Sequence, residues 1–307
     1  MDEQRFSYGG QAVLEGVMMR GRRQATMAVR RPSGEVALKH IPLADRSAAP
    51  WARIPVIRGI FGLKDALTIG KEALDFSATV AIGDDEEELS PLAQVATFVV
   101  TLLIAIGLFV VLPSAVANLA YTRLGTSVIV RELIEGAINL ALVVAYIYAI
   151  SRIPDIQRVF GFHGAEHKVI NAYEAGAPLT VEAVRPFTRI HPRCGTSFLV
   201  IAALIGFVIF LAVAGLPWWQ RVGARIVMIP LVAAVAFEFM RLAAAHYERP
   251  WVRRLLDPAL ASQNLTTREP DDAMIATAIA ALVPVLEADG VIPAAAPEPD
   301  PALALSA

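Results

Sequence analysis

The sequence predicts a mainly α-helical polytopic membrane protein, with about four transmembrane helices and a small N-terminal cytoplasmic segment that contains a β-hairpin. Of the 307 residues, 56% are hydrophobic and 18% are charged, and the mean hydropathy is +0.54, which is too apolar for an ordinary soluble domain. Four long apolar stretches alternate with polar segments. The net charge of −2 gives no basic field for nucleic acid, so we expect no specific nucleic-acid partner.

The four apolar stretches predict the transmembrane helices. Residues 89–122 contain no charged side chain and exceed the roughly 20 residues needed to cross a bilayer. Pro113 is expected to kink or end this first helix. The other three predicted spans cover residues 132–153, 195–217 and 224–246.

The first 52 residues predict a glycine-rich cytoplasmic segment with a hairpin. Four glycines punctuate residues 9–21, which fits either a loop that packs its backbone against a site or a glycine-bounded strand, and we favour the strand. Two partly alternating runs, residues 25–30 and 35–41, are separated by Pro32-Ser33-Gly34. That arrangement is typical of a β-hairpin.

The remaining polar segments predict helices and connections. Residues 53–88 combine a basic amphipathic helix, lying on the inner membrane surface or packing on the membrane bundle, with an acidic linker at 84–88. Residues 247–290 form the predicted cytoplasmic C-terminal segment, with a helix over 271–286, and the Pro/Ala-rich tail 291–307 is expected to be disordered.

The distribution of Lys and Arg predicts the orientation. Basic residues are frequent before the first span, in the polar segment 154–194 and after the last span, whereas the other two loops carry two arginines each. Both termini and segment 154–194 are therefore expected to face the cytoplasm. The first thirty residues lack an apolar run, so we expect no cleavable signal peptide. The lone Cys194 is then in a reducing compartment and remains a thiol.

Segment 154–194 carries the residues that indicate chemistry. His163, Glu166 and His167 form the pattern His-x-x-Glu-His at a predicted helix start, which places all three on one helical face. His191 and Cys194 follow at close spacing, so four candidate metal ligands lie within 32 residues. Mixed nitrogen and sulfur donors favour Zn²⁺.

Two interpretations of this cluster stay open. The histidines could hold a metal, or they could hydrogen-bond within a polar helix face. Two histidines with one further ligand and an open position would form a catalytic site, whereas three histidines with Cys194 would form a closed structural site. Glu166 suits a general base, although a hydrogen bond to a ligand would leave the same pattern.

A carboxylate inside the fourth predicted span is a second candidate. Glu238 is costly at that depth unless it is paired or coordinated. It fits a distant further metal ligand, or an ion pair with Arg241 three residues on. Glu135, near one end of the second span, is expected at the membrane interface.

Several longer motifs resemble a known family. Residues 9–20, 162–168, 191–197 and 265–270 are similar, in the same order, to motifs of the YqhQ-like bacterial membrane family, domain of unknown function 1385. The resemblance covers nearly the whole chain except the tail. It implies a multi-pass protein of the bacterial cytoplasmic (inner) membrane and a predicted metal-dependent enzyme, and it implies no substrate.

These observations lead to three functional hypotheses. The first is a zinc-dependent hydrolase that uses metal-activated water at the cytoplasmic face, with Glu166 as base and ligands drawn from His163, His167, His191, Cys194 and Glu238. The second is a non-catalytic scaffold in the lipid bilayer, with a structural metal site, that docks a membrane protein, ribosome or secretion complex. The third and weakest is a small-solute or ion transporter using Glu135 and Glu238, which would need a homo-oligomer.

Overall fold

The computed structural model describes residues 6, 8–44, 54–82 and 90–293. Its N-terminal part is a four-stranded antiparallel sheet in the order β1-β2-β3-β4. The strands are β1 (Gly9–Val13), β2 (Gly16–Arg20), β3 (Gln24–Arg30) and β4 (Val36–Pro42). The acidic run at 84–88 and residues 294–307 of the predicted disordered tail lie outside the described residues.

The β3–β4 pair is the predicted hairpin, and residues 9–20 add the two strands β1 and β2. Gly34 makes the β3–β4 turn possible because its φ is +92°, a value that glycine adopts without steric cost. Its N–H donates to the carbonyl of Arg31 at 2.9 Å. The preferred strand interpretation of the glycine-rich run is therefore confirmed.

Helices make up the rest of the described chain. In order they are α1 (Ile57–Ile82), α2 (Pro91–Ile106), a π-helical segment (Gly107–Val111), α3 (Leu112–Leu124), α4 (Val128–Ile150), α5 (Pro154–Glu174), α6 (Val181–Val184), α7 (Gly195–Phe210) followed by a short 3₁₀ turn (Leu211–Val213), α8 (Trp218–Ala245), α9 (Pro250–Ala261), α10 (Gln263–Thr266) and α11 (Asp272–Ala288).

Four stretches of the described helices are long and apolar enough to cross a membrane, as predicted. They are Leu92–Leu124, Val128–Ile150, Gly195–Val213 and Trp218–Ala245. Their outward side chains are largely apolar and exposed, which suggests a lipid bilayer around them. The fold is thus mainly helical, with a small antiparallel sheet at its N-terminus.

The first span continues past Pro113, and the helix just before the proline is the wider π-helical type. Proline has no N–H to donate to the carbonyl four residues earlier, which here belongs to Phe109. The side-chain amide of Asn139 on α4 donates to that oxygen at 2.7 Å instead. The π-helical segment before Pro113 accommodates the missing bond, and a neighbouring helix satisfies the freed carbonyl, as expected in a membrane.

The sheet has two covered faces because successive side chains along a strand point to opposite sides. Met18 and Met27 face a core that includes Ile69 of α1. Val17 and Met19 face a second core built with α5 and α11. The N-terminal sheet, α5 and the C-terminal α11 therefore form one packed unit outside the four candidate spans.

Helix α1 connects this unit to the candidate spans. It packs on the sheet through Ile69 and Ala73 and on α8 at Gly59, where an added Cβ would lie 3.1 Å from the Ala234 backbone. This contact agrees with the predicted packing on the membrane bundle, and the placement on the inner membrane surface stays a prediction.

Segment 154–194 is more ordered than the predicted loop, and the His-x-x-Glu-His pattern is not at a helix start. Helix α5 begins nine residues earlier at Pro154, because proline is well tolerated in the first helical turn. The pattern lies in the middle of α5, where most side chains are buried. A helix start would leave these side chains beside free backbone N–H groups, whereas the helix interior buries them against neighbouring segments.

Candidate metal centre

Helix α5 brings two histidines together one turn apart. The ring centroids of His163 and His167 are 4.4 Å apart. His167 is 1% exposed and His163 is partly buried. A spacing of four residues puts side chains on neighbouring positions of one face, so this pairing follows directly from the sequence once the segment is helical.

Cys194 completes a group of three candidate ligands. It caps the N-terminus of α7 and is 4% exposed. Its Sγ lies 3.2 Å from Nε2 of His163 and 3.2 Å from the hydroxyl oxygen of Thr196. One ligand atom each from His163, His167 and Cys194 lies within 4.8 Å of the other two, so the group could hold a metal ion.

Backbone carbonyls fix the orientation of both imidazoles. Nδ1 of His163 donates to the carbonyl of Thr266 at 2.8 Å, and Nδ1 of His167 donates to that of Arg189 at 2.6 Å. A carbonyl can only accept, so the proton of each neutral ring is on Nδ1 and the lone pair is on Nε2. Metal-binding histidines are typically held in this way.

The Thr266 carbonyl is in place because residues 266–270 cross α5 at a glycine. A Cβ built on Gly164 would lie 2.1 Å from the backbone oxygen of Arg268, so a side chain there would push the crossing segment away. The N–H of Arg268 donates to the carbonyl of Phe160 at 2.8 Å. Gly164, which lies between the two histidines, therefore allows the crossing segment to bring the Thr266 carbonyl to the His163 ring.

The Arg189 carbonyl is held by side chains on both sides of the connection. The amide of Asn171 on α5 donates to the carbonyls of Thr188 at 2.7 Å and Ile190 at 3.1 Å. The guanidinium of Arg189 donates to the carbonyl of Thr267 at 2.6 Å. These bonds attach the 188–190 connection to α5 and to the segment that crosses it.

Glu166, the predicted base, is beside the group of three and not part of it. Its side chain is 6% exposed and its Oε2 lies 3.5 Å from Nε2 of His167. Gly10 of β1 covers it, since a Cβ there would lie 3.3 Å from Cγ of Glu166. The glycine-rich strand thus approaches the site through its backbone, and this approach is compatible with the strand interpretation.

His191 is near the three ligands, but its Nε2 faces Glu174. Its ring centroid is 5.6 Å from that of His167, and its Nε2 lies 3.6 Å from a carboxylate oxygen of Glu174. Its backbone N–H donates to the side chain of Gln263 at 2.9 Å. Burial tends to raise the pKa of Glu174, but the neighbouring imidazole of His191 and the charge of Arg193 outweigh it and lower the pKa overall.

Glu238 lies within α8, away from the three ligands, and pairs with Arg58 of α1. Nε of Arg58 donates to one carboxylate oxygen at 2.6 Å, and a second nitrogen of the same guanidinium contacts the other oxygen. The partner is therefore 180 residues away in sequence and on a helix that precedes the spans. This two-point pair occupies the carboxylate that the sequence suggested as a distant ligand.

The donor set could hold a metal ion, and zinc serves as the test of fit. Two atoms at zinc bonding distances of about 2.0–2.3 Å are about 3.5 Å apart in a tetrahedral site, and the His163 Nε2 to Cys194 Sγ distance is 3.2 Å. Two imidazole nitrogens and one sulfur give the mixed set that zinc accepts. Three protein ligands leave one tetrahedral position open.

Sequence reasoning overlooked the residues that build the support of the site. Those supports are Thr196, Arg189, Gln263, Thr266 and Thr267. The motifs at 191–197 and 265–270, which contain Thr196, Thr266 and Thr267, gave a signal as part of the family resemblance. A backbone carbonyl carries no residue-type signature, so its use at Thr266 and Arg189 is visible only in three dimensions.

Comparisons with known proteins agree with this resemblance. The family model described as "Protein of unknown function (DUF1385)" matches residues 54–288. The "Uncharacterized protein YqhQ" of Bacillus subtilis (strain 168) is 35% identical over 288 residues, which cover 89% of this chain and 90% of that protein. No solved structure gives a significant match. With both matches spanning the helices and connections that build the site, the chain belongs to the DUF1385 family.

Proposed function

We propose that the protein is a metal-dependent membrane enzyme, a hydrolase in which His163, His167 and Cys194 hold a zinc ion. One observation carries the proposal: both imidazoles donate Nδ1–H to backbone carbonyls, which leaves their Nε2 atoms free beside the Cys194 sulfur. A hydrogen-bonded polar face would not need two carbonyls to select the same tautomer on adjacent rings.

The residues around the three ligands would have different roles in such a site. A zinc ion held there would supply Lewis-acid activation of a water molecule. The Glu166 carboxylate, 3.5 Å from Nε2 of His167, is placed to accept the proton that this water loses. Thr266 and Arg189 keep both ring planes fixed through their carbonyls.

The proposal leaves out two residues that the sequence suggested as ligands. His191 faces Glu174, and Glu238 is paired with Arg58 through both oxygens. Recruiting Glu238 to the metal would break this ion pair. Nε2 of His191 is buried without a hydrogen bond among the described residues, but it is not in the group of three converging ligand atoms, so three protein ligands and an open position are the simpler arrangement.

We place the site on the cytoplasmic side of the bacterial inner membrane. The three ligands lie between the C-terminal end of α4 and the N-terminal end of α7. The basic side chains of the sequence are concentrated at the same end, in segment 154–194 and around the spans' polar flanks, as expected for the cytoplasmic side.

Metal analysis tests the proposal. Detergent-purified wild-type protein should carry about one zinc per chain, and His163→Ala and Cys194→Ser should lose most of it, because each removes one of three ligands. His40→Ala is the matched control, since His40 is an exposed strand residue bonded to Thr26. Equal, substoichiometric zinc in all four proteins would reject the metal site.

A second candidate is a non-catalytic scaffold whose metal site is structural and which docks a membrane, ribosome or secretion partner. It is favoured by the depth of burial, since His167 is 1% and Cys194 is 4% exposed. Cobalt-substituted protein separates the two candidates. An added hydroxamate should change the visible spectrum if a coordination position is open, and should leave it unchanged in a closed structural site.

Catalysis itself is tested at Glu166. The enzyme proposal predicts that Glu166→Gln keeps its zinc but fails to complement loss of the gene. The scaffold candidate predicts that the same variant complements fully, because the amide preserves size and packing. Loss of zinc without loss of complementation would contradict the enzyme proposal.

A further inference from the structure

A second polar cluster lies inside the candidate spans, at their other end. Its five charged side chains come from the first two turns of α4 and of α8, and all are buried, with between 0% and 6% of the residue exposed. They are Arg131, Glu132, Glu135, Arg221 and Arg225. At 1.5 Å per helical residue, the cluster is about 25 Å along α4 from the helix end that leads to the metal ligands.

The two carboxylates each bridge arginines. Glu132 accepts from Nη2 of Arg131 at 3.0 Å and from Nη2 of Arg225 at 2.5 Å. Glu135 contacts Nη1 of Arg225, and its other oxygen is 3.7 Å from Nη2 of Arg221. The network therefore joins α4 to α8 through ion pairs.

The network is one negative charge short. Three guanidinium groups and two carboxylates leave a formal charge of +1 when all five are ionised. Nε and Nη1 of Arg221 and Nε of Arg225 are buried without a hydrogen-bond partner among the described residues. One oxygen of Glu135 is also without a hydrogen bond, so the deficit is three donors against one acceptor. Buried charges of this kind are normally paired.

A cavity of about 330 Å³ adjoins the cluster between α4, α7, α8 and the π-helical segment. Glu132, Glu135 and Arg225 line one part of it, and most of the remaining wall is apolar, including Phe207 and Val232. Its volume is within the range of small-molecule sites. The network of formal charge +1 thus meets a predominantly apolar cavity inside the candidate membrane spans, where Arg225 is the one arginine that lines the wall, beside Glu132 and Glu135.

We propose that this cavity binds an amphiphile with a single negative charge, such as a fatty acid or a phosphodiester lipid. The anionic head group would accept from Nε of Arg225 and neutralise the excess charge, and the acyl chain would lie along the apolar wall. A simple hydrophilic anion would not match that wall, and a cation would not match the unpaired N–H groups.

Equilibrium binding to the full-length, detergent-purified protein tests the proposal. Radiolabelled palmitate and phosphatidylglycerol are the probes, with cetyl alcohol and phosphatidylcholine as ligands without net charge. We expect saturable binding of at least one anionic probe at about one per chain, and no saturable binding of the other two ligands. The anionic probe that binds identifies the source, as free acid or as membrane lipid.

Two variants locate the binding site. Arg225→Gln should weaken binding about tenfold or more, because it removes the charged donor. Arg241→Gln is the matched control, since it removes an exposed arginine at the other end of α8. Ala203→Leu fills the cavity without touching a charge, and it should also weaken binding, whereas Ala141→Leu on an exposed position of α4 should not.

The proposal is overturned if neither anionic probe binds saturably, or if cetyl alcohol binds as tightly as palmitate. It is also overturned if Ala203→Leu binds like wild type. Should Arg225→Gln fail to fold, the Ala203→Leu and Ala141→Leu pair alone decides the outcome.

Discussion

The two polar clusters at opposite ends of the candidate spans differ in what they lack. In the cluster on α5, each ring N–H of His163 and His167 that carries a proton is satisfied by a carbonyl, and lone pairs converge on the centre. In the cluster on α4 and α8, three arginine nitrogens but only one carboxylate oxygen are without a hydrogen bond among the described residues. Converging lone pairs call for a cation, whereas remaining N–H groups call for an anion.

The two clusters also differ in the contacts that hold their polar side chains in place. The imidazoles of the α5 cluster are held by backbone carbonyls. The other cluster depends on ion pairs between α4 and α8. Loss of one partner should therefore be far more damaging in the second cluster than loss of the metal is in the first.

The largest effect is expected from Glu132→Gln. This change keeps the shape of the side chain but leaves Arg131 and Arg225 facing each other with less compensation, and breaking a buried ion pair costs about 3–5 kcal/mol. Thermal unfolding in detergent measures it, with the exposed Glu248→Gln as control. One anionic amphiphile should offset only part of this loss, because it would bring the variant network from +2 to +1, the formal charge of the wild-type network without a ligand. A stability equal to wild type would mean that the network is not ionised.

Metal removal should have the next largest effect. A ligand that binds only the folded state at a free concentration 100 times its Kd stabilises that state by about 2.7 kcal/mol. A chelator should therefore lower the unfolding temperature of wild-type protein and leave Cys194→Ser unchanged, since that variant has already lost a ligand. An equal drop in both proteins would place the stabilising metal elsewhere.

Gly164→Ala tests the crossing of residues 266–270 over α5. The added Cβ meets the backbone oxygen of Arg268, so the crossing segment must move, at a cost of about 1–3 kcal/mol for overpacking. The Thr266 carbonyl moves with it, and zinc affinity should fall about 10–100-fold as for other supporting groups. Gly223→Ala is the control, because nothing lies within 4 Å of its added Cβ.

The smallest effect is expected from Glu238→Gln. It should leave the zinc content unchanged, because the carboxylate binds Arg58 and not the metal. Its cost is about 1 kcal/mol, as both partners are partly exposed. Arg58→Gln should reproduce that cost. Zinc loss in Glu238→Gln with none in Arg58→Gln would restore Glu238 as a ligand.

The parts of the fold that sequence could predict are those set by local periodicity. The four spans and the β3–β4 hairpin follow from apolar runs and a Pro-Ser-Gly turn, and the His163–His167 pair follows from helical spacing. The Asn139 bond to Phe109 and the Arg58–Glu238 pair link residues that are distant in sequence. Nothing in a single sequence ties such partners together.

The candidate site was located by sequence, but its support was not. Cys194 and His163 lie close together because the start of α7 packs beside α5. That packing is visible only in the three-dimensional structure. The network around Glu132 was overlooked because its members are spread over two helices and Glu135 was expected at the interface. Its side chain is buried against Arg225, and its position at the membrane interface stays a prediction.

The crossing of residues 266–270 over α5 implies an order of events during synthesis. Ribosomes deliver the chain from its N-terminus at about 5–20 residues per second, so all four candidate spans are made before Thr266 can reach His163. The α11 side chains that close the second sheet core, such as Leu282, arrive later still. Tight metal binding is therefore expected to be a final maturation step, and a chain that stops before residue 266 should bind zinc more weakly, because it keeps the three ligands but lacks the Thr266 carbonyl.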